Sequence, residues 1–470
     1  MNFRLIRFAT VIIALLMLDV SALVRAATLK VAQDGSEQYA KIQSAVDAAS
    51  NGDTVVVADG TYSGSGNRDI DFHGKSLTVK SQNGPTKTII DCGGYKSKDG
   101  SGNHRGFFLH SSEKKATISG FTIKNGYEIA ARTNSVAPGV DSEPLGAEYG
   151  GGVEFIDVYS VHPFGTLSLT DCIIFGNTAS YGGGVYNKNG WNQFGFGKHG
   201  GTITLTHCVV SGNTALLSEG SNESQGGGIY NSNNANDGEI TLTDCTISEN
   251  LASAPSASDS DGGGVYNDNG EGGTITLTNC TVSKNHASGG DSSGGGIENR
   301  NFNALGKIAF TNCAIFGNTA TAWGGGIYNG SAASDNGGMV TLTRCTVCDN
   351  AASRGGGGMY DSYFLHRSDV FTLTHCIFFG DKDGEIANDY ADTADALKLL
   401  HAFGVKGKII KHISTPPIKI SVTSSDIQGK FPGIGNINAD PLFADASAGD
   451  FHLKPGSPCL GMGGYGAVKP

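Results

Sequence analysis

Proline is scarce, 12 residues in 470, and Gly, though abundant, does not recur every third residue. Collagen-like and polyproline structures are thereby excluded. Charged residues make up only 16%, against roughly a quarter in ordinary domains. With 38% hydrophobic residues, simple disorder is excluded as well. There is no basic excess: the formal net charge is −11. Phosphate binding needs clustered Lys and Arg, so nucleic acid is not expected as a partner. Broad attraction to acidic polysaccharides is disfavoured too, unless a local basic patch or a bound cation reverses the field. Beyond the first segment, no apolar run is long enough to cross a membrane as a helix. What the chain has in excess is glycine: 71 residues, about twice the usual share, which disfavours a conventional helical protein.

Met1 to Ala26 reads as a secretory signal. Arg4 and Arg7 give the charged start, Phe8–Leu18 is an apolar run of signal length, and Val24-Arg25-Ala26 offers a cleavage position. The remaining chain is expected to be secreted, extracellular or held in the cell envelope, to be monomeric, and to carry no transmembrane segment.

Two phrases recur in that remainder. The first is a Gly run followed by an aliphatic residue and usually Tyr-Asn. It stands at Gly182–Asn187, Gly226–Asn231, Gly262–Asn267, Gly294–Asn299 and Gly324–Asn329, with weaker copies at Gly150–Phe155 and Gly356–Asp361. Its aliphatic residues, from Val153 to Met359, are 30 to 44 residues apart. The second phrase, close to T-I-T-L-T-x-C-T-V-S-x-N, stands at Thr202–Asn213, Thr241–Asn250, Thr274–Asn285, Ala309–Asn318 and Thr341–Asn350. Leu167–Asn177 and Phe371–Gly380 are variants, and Thr117–Asn125 is a copy without Cys. Such a period marks a solenoid. Thr, Ile, Val and Tyr favour strands. Ile203 and Leu205 alternate, as do Cys208 and Val210, but Leu205 and Cys208 are three apart, so a corner separates two strands. The Gly-run phrase adds a third. Three short strands and three corners make one coil of a right-handed parallel β-helix, an all-β fold. The varying step fits loops inserted at one corner: Trp191–Gly200, Leu216–Gln225, Leu251–Asp261 and Ser331–Gly337.

Equivalent residues then stack. Cys172, Cys208, Cys245, Cys280, Cys313, Cys345 and Cys376 form one inward column, expected as buried thiols because rungs about 4.8 Å apart exceed relaxed disulfide geometry. Asn177, Asn213, Asn250, Asn285, Asn318 and Asn350 form a corner ladder. Asn187, Asn231, Asn267, Asn299 and Asn329 form another. Amides that both donate and accept can bond rung to rung, which is a structural role. At the ends, Ala40–Ala49 is the best helix candidate and is placed to cap the first coil. Regular coils are expected over about residues 115–380, a helical insertion at Ala391–Phe403, and irregular closing coils over 421–470.

These features resemble the pectin-lyase-like right-handed β-helix superfamily, and more closely a bacterial group of secreted β-helix proteins. The carriers are Ile42–Ala49 with Asn51-Gly52-Asp53-Thr54 and Val57–Tyr62 at the start. Asn438–Phe443 and Pro455–Cys459 carry it at the end. The middle phrase, as in Gly317–Ala320 leading to Gly324–Ile327, is similar to repeats of chlamydial polymorphic outer-membrane proteins, which are adhesins. The terminal β-barrel of those adhesins has no counterpart here. The resemblance implies fold more than activity.

Chemistry on this fold implies carboxylates or a base on the outer side of one sheet. The paired-Asp and Gly-His-Gly signatures of polygalacturonases and the Arg motifs of pectate lyases are not found; Lys198-His199-Gly200 is a superficial echo. Asp171, Asp244 and Arg344 flank the Cys column as scattered outward candidates. In the Trp191–Gly200 loop, Trp191, Phe194, Phe196 and His199 are candidate binding residues, since aromatic faces stack on sugars or anchor protein contacts. Asp381-Lys382-Asp383-Gly384-Glu385 has a faint likeness to a calcium loop but reads as a solvated turn. No cofactor is expected beyond that calcium option. The leading expectation is a secreted, non-enzymatic β-helix that binds glycan or protein surfaces, as an adhesin would. The alternatives are a polysaccharide lyase or glycoside hydrolase and a structural envelope component.

Overall fold

The computed structural model describes residues 26–94, 102–109, 113–129, 149–157, 165–189, 202–217, 223–233, 239–255, 258–269, 274–301, 307–332, 339–364, 370–388, 419–460 and 462. Residues 1–25 of the expected signal, the Trp191–Gly200 loop and the Ala391–Phe403 segment lie outside them.

The chain is a right-handed parallel β-helix. Four long sheets run along it: 12 strands in the first face, 11 in the second, 7 in the third and 9 in the fourth. Each regular coil contributes four strands, not the expected three. One coil reads Thr202–Thr206, Val209–Ser211, Thr214–Leu216 and Ile229–Asn233. The missed strand follows each ladder Asn and is only two or three residues long, as in Thr178–Ala179 or Thr319–Ala320. It places a single Ala inward, too little for an alternation to show. The supposed loops Leu216–Gln225 and Leu251–Asp261 also contain strands. Glu223–Gln225 pairs there with Asp259–Asp261 in a small extra sheet.

Apolar alternation sets the register of the long faces. Ile203 and Leu205 align with Ile240 and Leu242, then with Ile275 and Leu277, and all six are fully buried. Neighbouring coils satisfy one another's backbone groups in the parallel ladders. Three left-handed residues turn each coil. The first precedes each column Cys: Asp171, His207, Asp244, Asn279, Asn312, Arg344 and His375 have φ between 51° and 55°. Asp, Asn and His tolerate this region best among residues with a β-carbon. The second precedes each ladder Asn, as at Gly212 and Glu249. The third is the first Gly of each run. At Gly262, φ is 63° and a β-carbon would lie 2.6 Å from the Val265 carbonyl oxygen. Only Gly fits both demands.

The helix covers Ile42–Ala48, shorter than expected, and buries Ile42, Ala45 and Val46 against the strands Thr28–Val31 and Thr54–Val57. At the other end, Lys419–Thr423 and Asp426–Ile427 extend the first two faces. An antiparallel pair, Phe443–Asp445 with Asp450–Leu453, then folds onto the outer side of the second face. There Phe451 is fully buried, 4.8 Å from Phe316 between ring centres.

Candidate functional site on the fourth face

The Asn177–Asn350 ladder lines the inside of a corner, whereas the second set lies on the inward side of the fourth-face strands, as Asn187 does within Val185–Asn189. Every ladder Asn from Asn177 to Asn318 donates its side-chain amide to the next Asn at 2.9–3.0 Å. The second set, Asn187 to Asn329, is linked in the same way at 2.5–2.8 Å. All ten Cys are free and buried. The column thiols donate to backbone carbonyls, as Cys208 does to Leu169 at 3.4 Å. Burial drives the Cys345 thiol well above its ordinary value. Nothing in these columns is open to a ligand.

Two further sequence expectations change. Asp171, Asp244 and Arg344 are not outward residues of a strand; they stand at left-handed corners, where backbone geometry selects the residue type. His207 bridges the two acids across the exposed corner, 3.4 Å from Asp171 and 3.5 Å from Asp244. The segment Asp381–Glu385 is not a simple solvated turn. Asp381 Oδ1 accepts from the backbone and side-chain N–H of Asn350 at 2.7 and 2.9 Å, so it extends the ladder, and Glu385 is buried beside it. Among the described residues no group of three or more His, Cys, Asp or Glu is arranged to hold a metal ion. Trp191, Phe194, Phe196 and His199 lie outside the described residues.

A different constellation stands on the outer side of the fourth face. Register places Glu154, Tyr186, Tyr230, Tyr266, Glu298, Tyr328 and Tyr360 in one outward column. A parallel column two residues on holds Lys188, Ser232, Asp268, Arg300 and Gly330. Successive Tyr rings stack, with centres 4.9 Å apart at Tyr186–Tyr230 and 5.3 Å at Tyr230–Tyr266. The stack breaks at one rung, where Glu298 replaces Tyr and Arg300 follows.

Arg300 is the hub of that rung. Its Nε donates to Glu298 Oε1 at 2.7 Å and its Nη2 to Asp261 Oδ2 at 2.6 Å. The guanidinium lies 5.7 Å from the centre of the Tyr266 ring, within cation–π range. Asp261 comes from the small extra strand and also accepts from the Ser293 N–H at 2.9 Å. Asp268 faces Arg300 from the adjacent rung. Glu298 Oε2 and Asp268 Oδ1 are buried without a partner. Orphaned carboxyl oxygens of this kind are uncommon and call for an explanation.

Burial sets their protonation. It drives the Glu298 carboxyl up to about 8, with the Asp261 charge adding and Arg300 opposing. Burial also lifts Asp268 to about 6, against the pull of Arg300 and Lys188. At neutral pH Glu298 keeps its proton while Asp268 is ionised. Arg300 stays charged despite its burial, with the ionised Asp261 as its counter-charge at neutral pH. A proton donor and a proton acceptor thus stand on neighbouring rungs.

A second ionic group, Arg105 with Glu128 and Glu154, contrasts with this one. Its three side chains are 6%, 3% and 0% exposed; in the Arg300 rung Glu298 and Asp261 are buried alike, at 0% and 1%, and the difference lies in Arg300, which is 31% exposed and reaches the surface. The signal for the Glu298 rung was present in the sequence. Gly294–Asn299 is one of two copies of the repeat with Glu in place of Tyr, the other being Gly150–Phe155 with Glu154, and it alone stands within the run of Tyr copies, between Asp261 and Arg300.

No protein-family profile matches the chain, and no curated protein matches it. Among solved structures, pectate lyase Pel9A is similar over 91% of this chain and 85% of its own, at 13% identity and a TM-score of 0.45. The A-module of the Azotobacter vinelandii mannuronan C-5 epimerase AlgE4 is similar over 85% and 95%, at 13% identity and a TM-score of 0.30. These likenesses transfer no residue and no activity to this chain. Among the described residues no helix is long and apolar enough to cross a membrane.

Proposed function

We propose that this protein is a polysaccharide-acting glycoside hydrolase, exported by its Met1–Ala26 segment, with its site at the Glu298 rung of the fourth face. The observation that carries this reading is the pair of unlike carboxyls, Glu298 and Asp268, around Arg300. Glycosidic cleavage needs one carboxyl that gives a proton to the leaving oxygen and another that activates water or attacks the sugar. Glu298 fits the acid and Asp268 the ionised partner. Arg300 covers Glu298, and its movement onto a sugar hydroxyl would uncover the acid. Elimination by an Arg base is disfavoured, because Arg300 stays in its charged form beside the ionised Asp261.

The test is release of reducing ends from a panel of neutral and acidic polysaccharides. Activity is expected between about pH 6 and about pH 8, where Asp268 is ionised and Glu298 protonated. Glu298→Gln and Asp268→Asn are each expected to lower kcat by about 10²–10⁴. Unchanged turnover in both variants would overturn the assignment, as would unsaturated products.

A further inference from the structure

The segment Asp69-Ile70-Asp71-Phe72-His73 alternates. Ile70 and Phe72 are fully buried, so Asp69, Asp71 and His73 are turned outward together. Ile70 bridges Phe107 of the neighbouring coil in parallel. That register brings Phe108 opposite Asp71, and His104, three residues before the bridge, reaches Asp69 with its ring. With Gln43, Ser65, Gly66 and Arg68 these residues line a cleft of about 500 Å³. The volume lies within the range of small-molecule sites.

The polar groups are fixed from behind. His104 Nδ1 bonds Asp69 Oδ2 at 2.7 Å, and Asp69 Oδ1 accepts from the Arg105 N–H at 2.9 Å. This leaves Nε2 of His104 for a ligand. His73 Nδ1 stands 2.9 Å from Asp71 Oδ2. The Gln43 amide grips the Asp71 backbone in both directions, at 2.9 Å each. Arg68 gives Nη1 to the Cys92 carbonyl at 2.6 Å, and its buried Nε has no partner. Arg105 covers the Phe108 ring at 4.7 Å from its centre.

The lining selects by chemistry. An anion would meet Asp69 and Asp71, and a cation would meet Arg68. A hydroxyl-rich neutral molecule suits both signs: its hydroxyls donate to the carboxylates and accept from Arg68. Its C–H groups can pack against the part of Phe108 that lines the cleft, one ring face being held by Arg105. We propose that this cleft is a binding site for a neutral saccharide, separate from the Glu298 rung and independent of the hydrolytic reading.

The experiment is titration calorimetry of the full chain with the hexaoses of cellulose, xylan and mannan, and with hexagalacturonate as the anionic probe. The same titrations are run on Asp69→Asn, His104→Gln, Phe108→Ala and Glu298→Gln. One neutral series is expected to bind, and each cleft variant to weaken it about tenfold or more, about 1.4 kcal/mol, at an unchanged melting temperature. Glu298→Gln leaves the cleft intact and is expected to keep the binding that the cleft variants lose, whether or not the rung itself takes a saccharide, so a failed hydrolytic reading leaves this result untouched. The proposal is overturned by no binding of any neutral hexaose, by equal binding in all three cleft variants, or by a preference for hexagalacturonate.

Discussion

Replacing Asn250 by Ala removes a side chain whose hydrogen-bonding capacity is fully used. Its Oδ1 accepts from the backbone and side-chain N–H of Asn213, both at 3.0 Å. Its Nδ2 donates to the Val210 carbonyl and to Asn285 Oδ1, both at 2.9 Å. Ala at 250 deletes four bonds and orphans two donors on Asn213 in a site closed to water. A buried group left unpaired costs about 1–3 kcal/mol, so the two donors set a loss of about 2–6 kcal/mol. The acceptors add less, since Asn285 Oδ1 still takes the Asn250 backbone N–H at 3.0 Å. A domain holds only about 5–15 kcal/mol in total, and in a solenoid the damage is confined to adjacent coils. Urea unfolding should therefore move to lower concentration. Amide exchange should quicken at 209–217 and 246–254 and stay unchanged at 371–379. Ser248→Ala, two residues away and outward, should stay within about 0.5 kcal/mol. Asn250→Asp keeps the acceptor but buries a charge, so it should regain stability as pH falls and the carboxyl is protonated. A loss below about 1 kcal/mol for Asn250→Ala, or exchange that quickens equally along the chain, would refute the ladder as a principal tie.

Gly263→Ala should prevent regular stacking, since its β-carbon would fall 2.5 Å from the backbone oxygens of Gly295 and His286; a melting temperature within a few degrees of the parent would contradict this. All ten Cys should be unreactive to a thiol reagent in the native protein and all should react after denaturation; a native disulfide seen by mass spectrometry would contradict the buried-thiol column. Burial raises both Asp381 and Glu385, and Glu385 adds to the rise of Asp381, so ionising both opposes folding. Stability from this pair should be greatest below the ordinary carboxyl range and fall as pH rises, and Glu385→Gln should flatten that slope in melting curves recorded across pH.

How far the sequence could be read follows from what repetition makes visible. The coil, the Cys column and the Asn ladders are legible because one inward residue type recurs at every rung, and Ile203, Leu205, Cys208 and Val210 fall inward as their spacing requires. The third face escaped because Thr214–Leu216 and its equivalents place one Ala inward, which alternation cannot reveal. The same emphasis hid the candidate site. Chemistry needs a unique constellation, and in a repeat protein uniqueness appears as a fault in the pattern. Charged residues at 171, 244 and 344 drew notice because they flank a recurring column, yet that corner demands a left-handed backbone at every rung and holds Asp, Asn, His or Arg accordingly. Glu298 breaks a Tyr column where the backbone demands nothing special. It also places a carboxyl where burial raises its proton affinity, on the rung next to Asp268 and against an Arg that two acids hold in place. A strand neighbour that is 32 residues away in sequence, as Asp268 is from Arg300, becomes adjacent only once the register is known. The informative residue in such a chain is the one that departs from its column without a backbone reason, and Glu298 meets that criterion, as does Glu154, whose carboxyl is closed into the Arg105 tie, while Asp171 and Asp244 do not.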